Sequence, residues 1–168
     1  MSRIQARVTL PEELQREIAP LRERWNPERA LGNPAHVTIA YHDEAPDAEM
    51  LEARLRAALR NVAPFGLFVG KPAQFRAPAR GVFLQVSDPT NAIASIRDDV
   101  LVPPFAPRAH FDLPVTVLHS EQGDRLAEAW RDLSRSPSFG SFDVSALQLV
   151  GSNNETMVNV HVGSSSRS

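Results

Sequence analysis

From Arg3 to Thr9 apolar and polar positions alternate, with Ile4, Ala6 and Val8 apolar, which predicts a half-buried strand. The period then lengthens. Leu14, Ile18, Leu21 and Trp25 recur at helical spacing, and Thr9-Leu10-Pro11-Glu12 ahead of them predicts a helix start, with Thr9 as cap and proline in the first turn. "NPERALGNP" reads as a loop, and the β-branched stretch Ala35 to Tyr41 as a strand. Asp47 is placed to cap a second helix, whose buried face is Leu51, Leu55, Ala58, Leu59 and Val62. Phe65 to Phe75 predicts a further strand or hairpin arm.

The same order then returns. Gly81 to Ser87 ("GVFLQVS") predicts a strand, and Asp88-Pro89 opens a helix carrying Ile93, Ile96 and Val100. "VPPFAPRAHFDL" is a proline-rich loop before the strand Pro114 to Leu118, and a helix through Leu126, Ala129, Trp130 and Leu133 follows. Ser141 to Val150 and Thr156 to Val162 predict two closing strands. Val37-Thr38-Ile39 and Val115-Thr116-Val117 lie 78 residues apart in the two copies, an internal duplication at the level of pattern. Helices interleaved with strands give an α/β or α+β class, and the alternation on most strands favours antiparallel sheets wet on one face. A chain of 168 residues fits one domain, or two small lobes sharing a core. The expected organisation is a single two-lobed unit over residues 1–163, with halves of about 1–78 and 79–163, and a frayed tail at 164–168.

Residues two apart on a strand point the same way, so His36 and Thr38 emerge on one face about 7 Å apart. A neutral imidazole takes a proton from water or a hydroxyl, and as imidazolium returns one. A threonine hydroxyl donates to a phosphate oxygen. Two such strands facing each other would supply a base, an acid and two phosphate donors, a set suited to hydrolysis or transesterification at a phosphodiester without a metal. At the second copy Thr116 is present, but Pro114 stands where His36 would lead one to expect histidine.

Nearly the whole chain resembles the two-histidine phosphoesterases, which include bacterial 2'-5' RNA ligase-like proteins and cyclic nucleotide phosphodiesterases. The resemblance rests on "RWNPERALGNPAHVTIAYH" (Arg24 to His42), "PFGLFVG" (Pro64 to Gly70), "GVFLQVSDP" (Gly81 to Pro89) and "PPFAPRAHFDLPVTVLH" (Pro103 to His119). It implies a His-x-Thr/Ser strand in each half, two pseudo-symmetric lobes of mainly antiparallel sheet around a central cleft with helices outside, and catalytic roles for His36, Thr38 and Thr116. It implies a second histidine at position 114, and Pro114 cannot move a proton. Removing one general acid or base costs about 10² to 10⁴ in rate. Tyr41, His110 and His119 are the candidate substrate contacts. His110 has the parity of Pro114 but lies about 13 Å along an extended strand. His119 has the opposite parity from Thr116, so a regular strand would turn it away from the cleft.

Composition narrows the function further. With no cysteine, thiolate metal sites, disulfides and cysteine nucleophiles are excluded. No His/carboxylate motif with ligand spacing occurs, so neither metal nor cofactor is expected. The chain has seventeen arginines and one lysine (Lys71), a balance that coding bias toward Arg and Ala explains more readily than phosphate recognition does. A net charge of −2 argues against holding long nucleic acid by electrostatics alone and leaves a small phosphorylated ligand, nucleotide or RNA end as partner. There is no apolar run near 18 residues and no signal-peptide core, so the expectation is a cytoplasmic monomer away from membranes. The leading reading is a phosphodiesterase acting on a 2',3'-cyclic phosphate or a 2'-5'-linked end, weakened at Pro114. The alternative is a non-catalytic binder of a nucleotide or RNA end.

Overall fold

A computed structural model of the chain describes residues 3–75 and 80–163. The expected tail at 164–168 lies outside the described residues. Thirteen elements follow in order: β1 (Gln5–Thr9), α1 (Glu12–Trp25), α2 (Pro27–Ala30), β2 (His36–Ala40), α3 (Ala48–Leu59), β3 (Phe65–Phe75), β4 (Gly81–Ser87), α4 (Ala92–Val100), β5 (Pro114–His119), α5 (Gly123–Leu133), β6 (Gly140–Val144), β7 (Ala146–Val150) and β8 (Thr156–His161). Two four-stranded sheets result, ordered β2-β1-β7-β8 and β5-β4-β3-β6, with every pair antiparallel. This is the expected α+β class.

Several local expectations are corrected. Thr9 does not cap α1: the cap position is Pro11, and the Thr9 hydroxyl donates to the Gln148 side chain of β7 instead. Gln15 takes over the junction, donating to the Leu10 and Ala35 carbonyls while accepting from the Ala35 amide. The segment expected to be all loop contains the short helix α2, with Pro27 at its first position, where a missing N–H costs nothing. Asp47 does cap α3, accepting from the Met50 amide at 3.0 Å. The strand expected over Ser141 to Val150 is two strands in different sheets, and the chain changes sheet at Ser145, whose carbonyl accepts from Val162.

That change of sheet has a counterpart. β3, from the first half of the sequence, pairs with β4 and β6 of the second, while β7 and β8 pair back onto β1. Each sheet therefore draws strands from both halves. Leu51, Leu55 and Leu59 of α3 and Ile93, Ile96 and Val100 of α4 belong to one continuous core with the inner faces of the strands.

The registers carry one further detail. Arg7 lies opposite Thr38 and Ala6 opposite Ala40, so Ile39 is an extra residue on β2. Likewise Phe83 lies opposite Thr116 and Val82 opposite Leu118, which leaves Val117 extra on β5. These are β-bulges, and they sit 78 residues apart. In each, two successive residues enter the core, Ile39 with Ala40 and Val117 with Leu118. Parity then reverses beyond the bulge.

Candidate functional site

The edge strands β2 and β5 approach each other across a cleft. A cavity of about 390 Å³ lies there, and His36, Thr38, Tyr41, Pro114, Thr116 and His119 all border it. Five of the six candidate side chains thus share one cavity with Pro114. His110 does not line it, being exposed in the segment before β5. His119 corrects the parity argument: the bulge at Val117 turns it back to the side of Thr116, as the bulge at Ile39 does for Tyr41.

His36 is held by its own neighbourhood. Its Nδ1 lies 2.8 Å from the Pro34 carbonyl oxygen, an acceptor only, so Nδ1 carries the proton and Nε2 is left as the basic nitrogen. Burial, reinforced by the nearby charges of Arg7 and Arg22, lowers its pKa to about 4 against the pull of the Pro34 hydrogen bond. The ring is thus neutral, with Nε2 free to accept a proton, and the same burial makes it a weaker base than an ordinary imidazole. Thr38 is buried on the same strand face, and Thr116 is half-buried opposite.

His119 is also kept below the ordinary imidazole value. Partial desolvation of the ring is the main cause, although the residue as a whole is exposed to solvent, and Arg29 adds to it, opposed by a hydrogen bond to the Arg80 backbone carbonyl. Its ring stacks on Phe75, with centroids 4.9 Å apart and planes 12° apart. Burial raises the Tyr41 phenol, which stays protonated.

Sequence reasoning missed most of the polar wall. Arg22, Asn26, Arg29 and Asn33, from α1, α2 and the turn after them, border the cavity, as does Arg108 from the proline-rich loop. No aspartate or glutamate does so among the described residues. Arg22 is 7% exposed and donates to the Asn33 carbonyl at 2.6 Å, and Arg7 behind it is 1% exposed and donates to the Asn33 side chain. Neither has a carboxylate partner among the described residues. One signal was available: Arg22 falls four residues after Ile18, on the apolar stripe of its helix, where a bare cation costs desolvation energy unless something answers it.

A buried carboxylate anchors the other end. Glu44 accepts from Arg97 at 2.6 and 3.0 Å and from the Arg108 and Tyr41 amides, while its carbonyl accepts from Ala106. Arg97 lies over the Phe111 ring and donates to the Ile39 carbonyl; Arg108 pairs with Asp43 and lies 3.7 Å from the centre of the Tyr41 ring. The segment entering β5 is thereby tied to the residues leaving β2. Glu44, just past β2, meets Arg108, just before β5, and Arg108 covers Tyr41, so the exit of β2 lies by the entry of β5; the charge of Arg22 reaches His36 and that of Arg29 reaches His119.

Comparison with known structures gives the same fold. TT0787 of Thermus thermophilus matches with a TM-score of 0.63 at 16% identity, covering 97% of this chain and 98% of that one. E. coli LigT in complex with 3'-AMP matches with a TM-score of 0.56, and its complex with NADP+ with 0.57, each at 20% identity and covering 96% of this chain and 95% of that one. Comparison with curated protein sequences gives no match. The sequence profile of the 2'-5' RNA ligase superfamily, however, spans residues 10–156, and with the two lobes, the paired Val-Thr strands and the shared cavity in place, the chain belongs to that superfamily.

Proposed function

We propose that this protein is a metal-independent phosphodiesterase acting on 2',3'-cyclic phosphates or on 2'-5'-linked nucleotide or RNA ends, as a cytoplasmic monomer. The observation that carries this reading is the lining of the cavity: three arginines, two histidines and two threonines, with no carboxylate among the described residues, in a chain whose net charge is −2. Arg22 is buried with no carboxylate partner among the described residues, Arg29 is exposed beside it, and only Arg108 is paired, with Asp43, so positive charge is left over for an anion. Thr38 and Thr116 offer hydroxyls from two different strands, and His36 offers its unprotonated Nε2 to the same cavity. LigT has been crystallised with 3'-AMP and NADP+, both phosphorylated nucleotides, which favours the same ligand class here.

In this reading the phosphate is held by the threonine hydroxyls and the arginine charge, and His36 removes the proton of the attacking water or hydroxyl. Pro114 supplies nothing to proton transfer and lowers the rate. The test is a panel of 2',3'-cyclic nucleotides and 2'-5' oligoadenylates assayed with and without chelator. Turnover of at least one class, unchanged by chelator, is expected. Tight nucleotide binding without turnover on any of them would instead make the protein a binder, and activity restored only by a divalent ion would replace the mechanism.

A further inference from the structure

Pro114 leaves the phosphodiester chemistry without the second proton carrier that the His36 strand implies. We infer that His119 fills that role, five residues downstream of the expected position, as the general acid that protonates the leaving oxygen. The inference rests on the phosphodiesterase reading above and adds a residue to it.

Three observations place His119 there. The bulge at Val117 reverses strand parity and turns the side chain into the cavity, where a regular strand would have turned it out. The entry of β5 is tied to the exit of β2 through Arg108 and Glu44, which implies that the exit of β5, with His119, lies towards the entry of β2, with His36; both histidines border the one cavity. The ring is also oriented: it stacks on Phe75 and engages the Arg80 backbone carbonyl, which leaves one nitrogen for substrate. His36 is fixed in the same way by the Pro34 carbonyl. Gly81, directly opposite His119 in the register, makes the arrangement possible. A Cβ there would fall on the Leu118 carbonyl oxygen and within 3.0 Å of the Phe75 ring. Tyr41, the residue 78 positions earlier, occupies the matching place at the other end, and its phenol is a far weaker acid.

The step balances. Water attacks phosphorus and gives its proton to His36 Nε2. The bond from phosphorus to the ribose 2'- or 3'-oxygen breaks, and that oxygen takes a proton from the His119 imidazolium. The products are a phosphomonoester and a hydroxyl, and the two histidines return to their starting states by exchange with water. Desolvation and the charge of Arg29 disfavour the imidazolium, and a phosphate anion bound beside them offsets the charge.

General acid catalysis is diagnosed by the leaving group. Wild type, His36→Gln and His119→Gln would be compared on a 2',3'-cyclic nucleotide, whose leaving group is an alkoxide, and on a 4-nitrophenyl nucleoside phosphodiester, whose phenolate departs without a proton. His119→Gln should lose about 10²-fold or more on the cyclic substrate, with a deficit at least about tenfold smaller on the aryl ester. His36→Gln should lose comparably on both. The affinity of each variant for a nucleoside 3'-monophosphate, measured by calorimetry, reports that the cavity is intact. Equal deficits of His119→Gln on the two substrates, or no deficit on either, would overturn the assignment while leaving the phosphodiesterase reading standing. A wild-type protein inactive on both would sink that reading and this inference with it.

Discussion

A histidine that folds neutral leaves a signature in pH. His36 ionises at about 4 in the folded protein against 6.5 in its ordinary setting, so between those values the unfolded chain holds a proton that the folded one does not. Stability present above pH 6.5 is therefore lost as pH falls towards 4, by about 3 kcal/mol in full. Denaturant titrations of the wild type and His36→Gln should diverge over that window, with the variant's curve the flatter, and parallel curves would contradict the burial argument. In the proposed reaction His36 and His119 together set the pH dependence, because kcat/KM reports the free enzyme. It should rise with pH through the His36 ionisation near 4 and fall again through His119 below 6.5, giving a bell displaced to acid pH. An acid limb at 6.5 would remove His36 from the role of base. Among single residues, the common cavity of His36, Thr38 and Thr116 was legible in the sequence because period-two parity is a local rule. His119 was misread because a bulge is decided by pairing with a neighbouring strand, here β4, and one extra residue reverses every side chain beyond it.

At the level of elements, β4 and β5 hold His119 through their close approach at Gly81. Gly81→Ala would force the end of β5 away from β4, since the contact is with the Leu118 backbone and not a movable side chain. The expected cost is about 1–3 kcal/mol in stability, together with a loss of cyclic-nucleotide turnover larger than the loss of nucleotide binding. A Gly81→Ala protein with unaltered turnover would show that the position of His119 does not matter. The strands β3 and β4 and the Asp47 cap were readable from local pattern alone. The polar wall was not. Arg29 and Asn26 reach the cavity through α2, a four-residue helix too short to announce itself by periodicity, and Arg108 is brought there by Glu44, 64 residues away in sequence.

Across the whole molecule, the duplicated pattern and the two sheets do not share boundaries. β3 forms the interior of one sheet between β4 and β6, and β7 pairs β1 in the other. Fragments 1–78 and 79–163 should therefore be largely unfolded alone by circular dichroism and gain structure on mixing, as each lacks strands that its sheet requires. Independent folding of either would mean that the exchanged strands contribute little. The exchange also closes the cleft, since β2 and β5 meet as edges of sheets that both halves build. The 78-residue repeat shows the duplicated pattern but not this exchange, because strand pairing at long range leaves no mark in local periodicity. The proposed chemistry depends on a single nitrogen in that cleft, His36 Nε2. The most direct measurement is kcat/KM of His36→Gln against wild type on a 2',3'-cyclic nucleotide, with chelator present and nucleoside 3'-monophosphate affinity measured alongside. A loss of about 10² to 10⁴ in kcat/KM with affinity held within a few-fold is the expected result, and a variant as active as the wild type would contradict it.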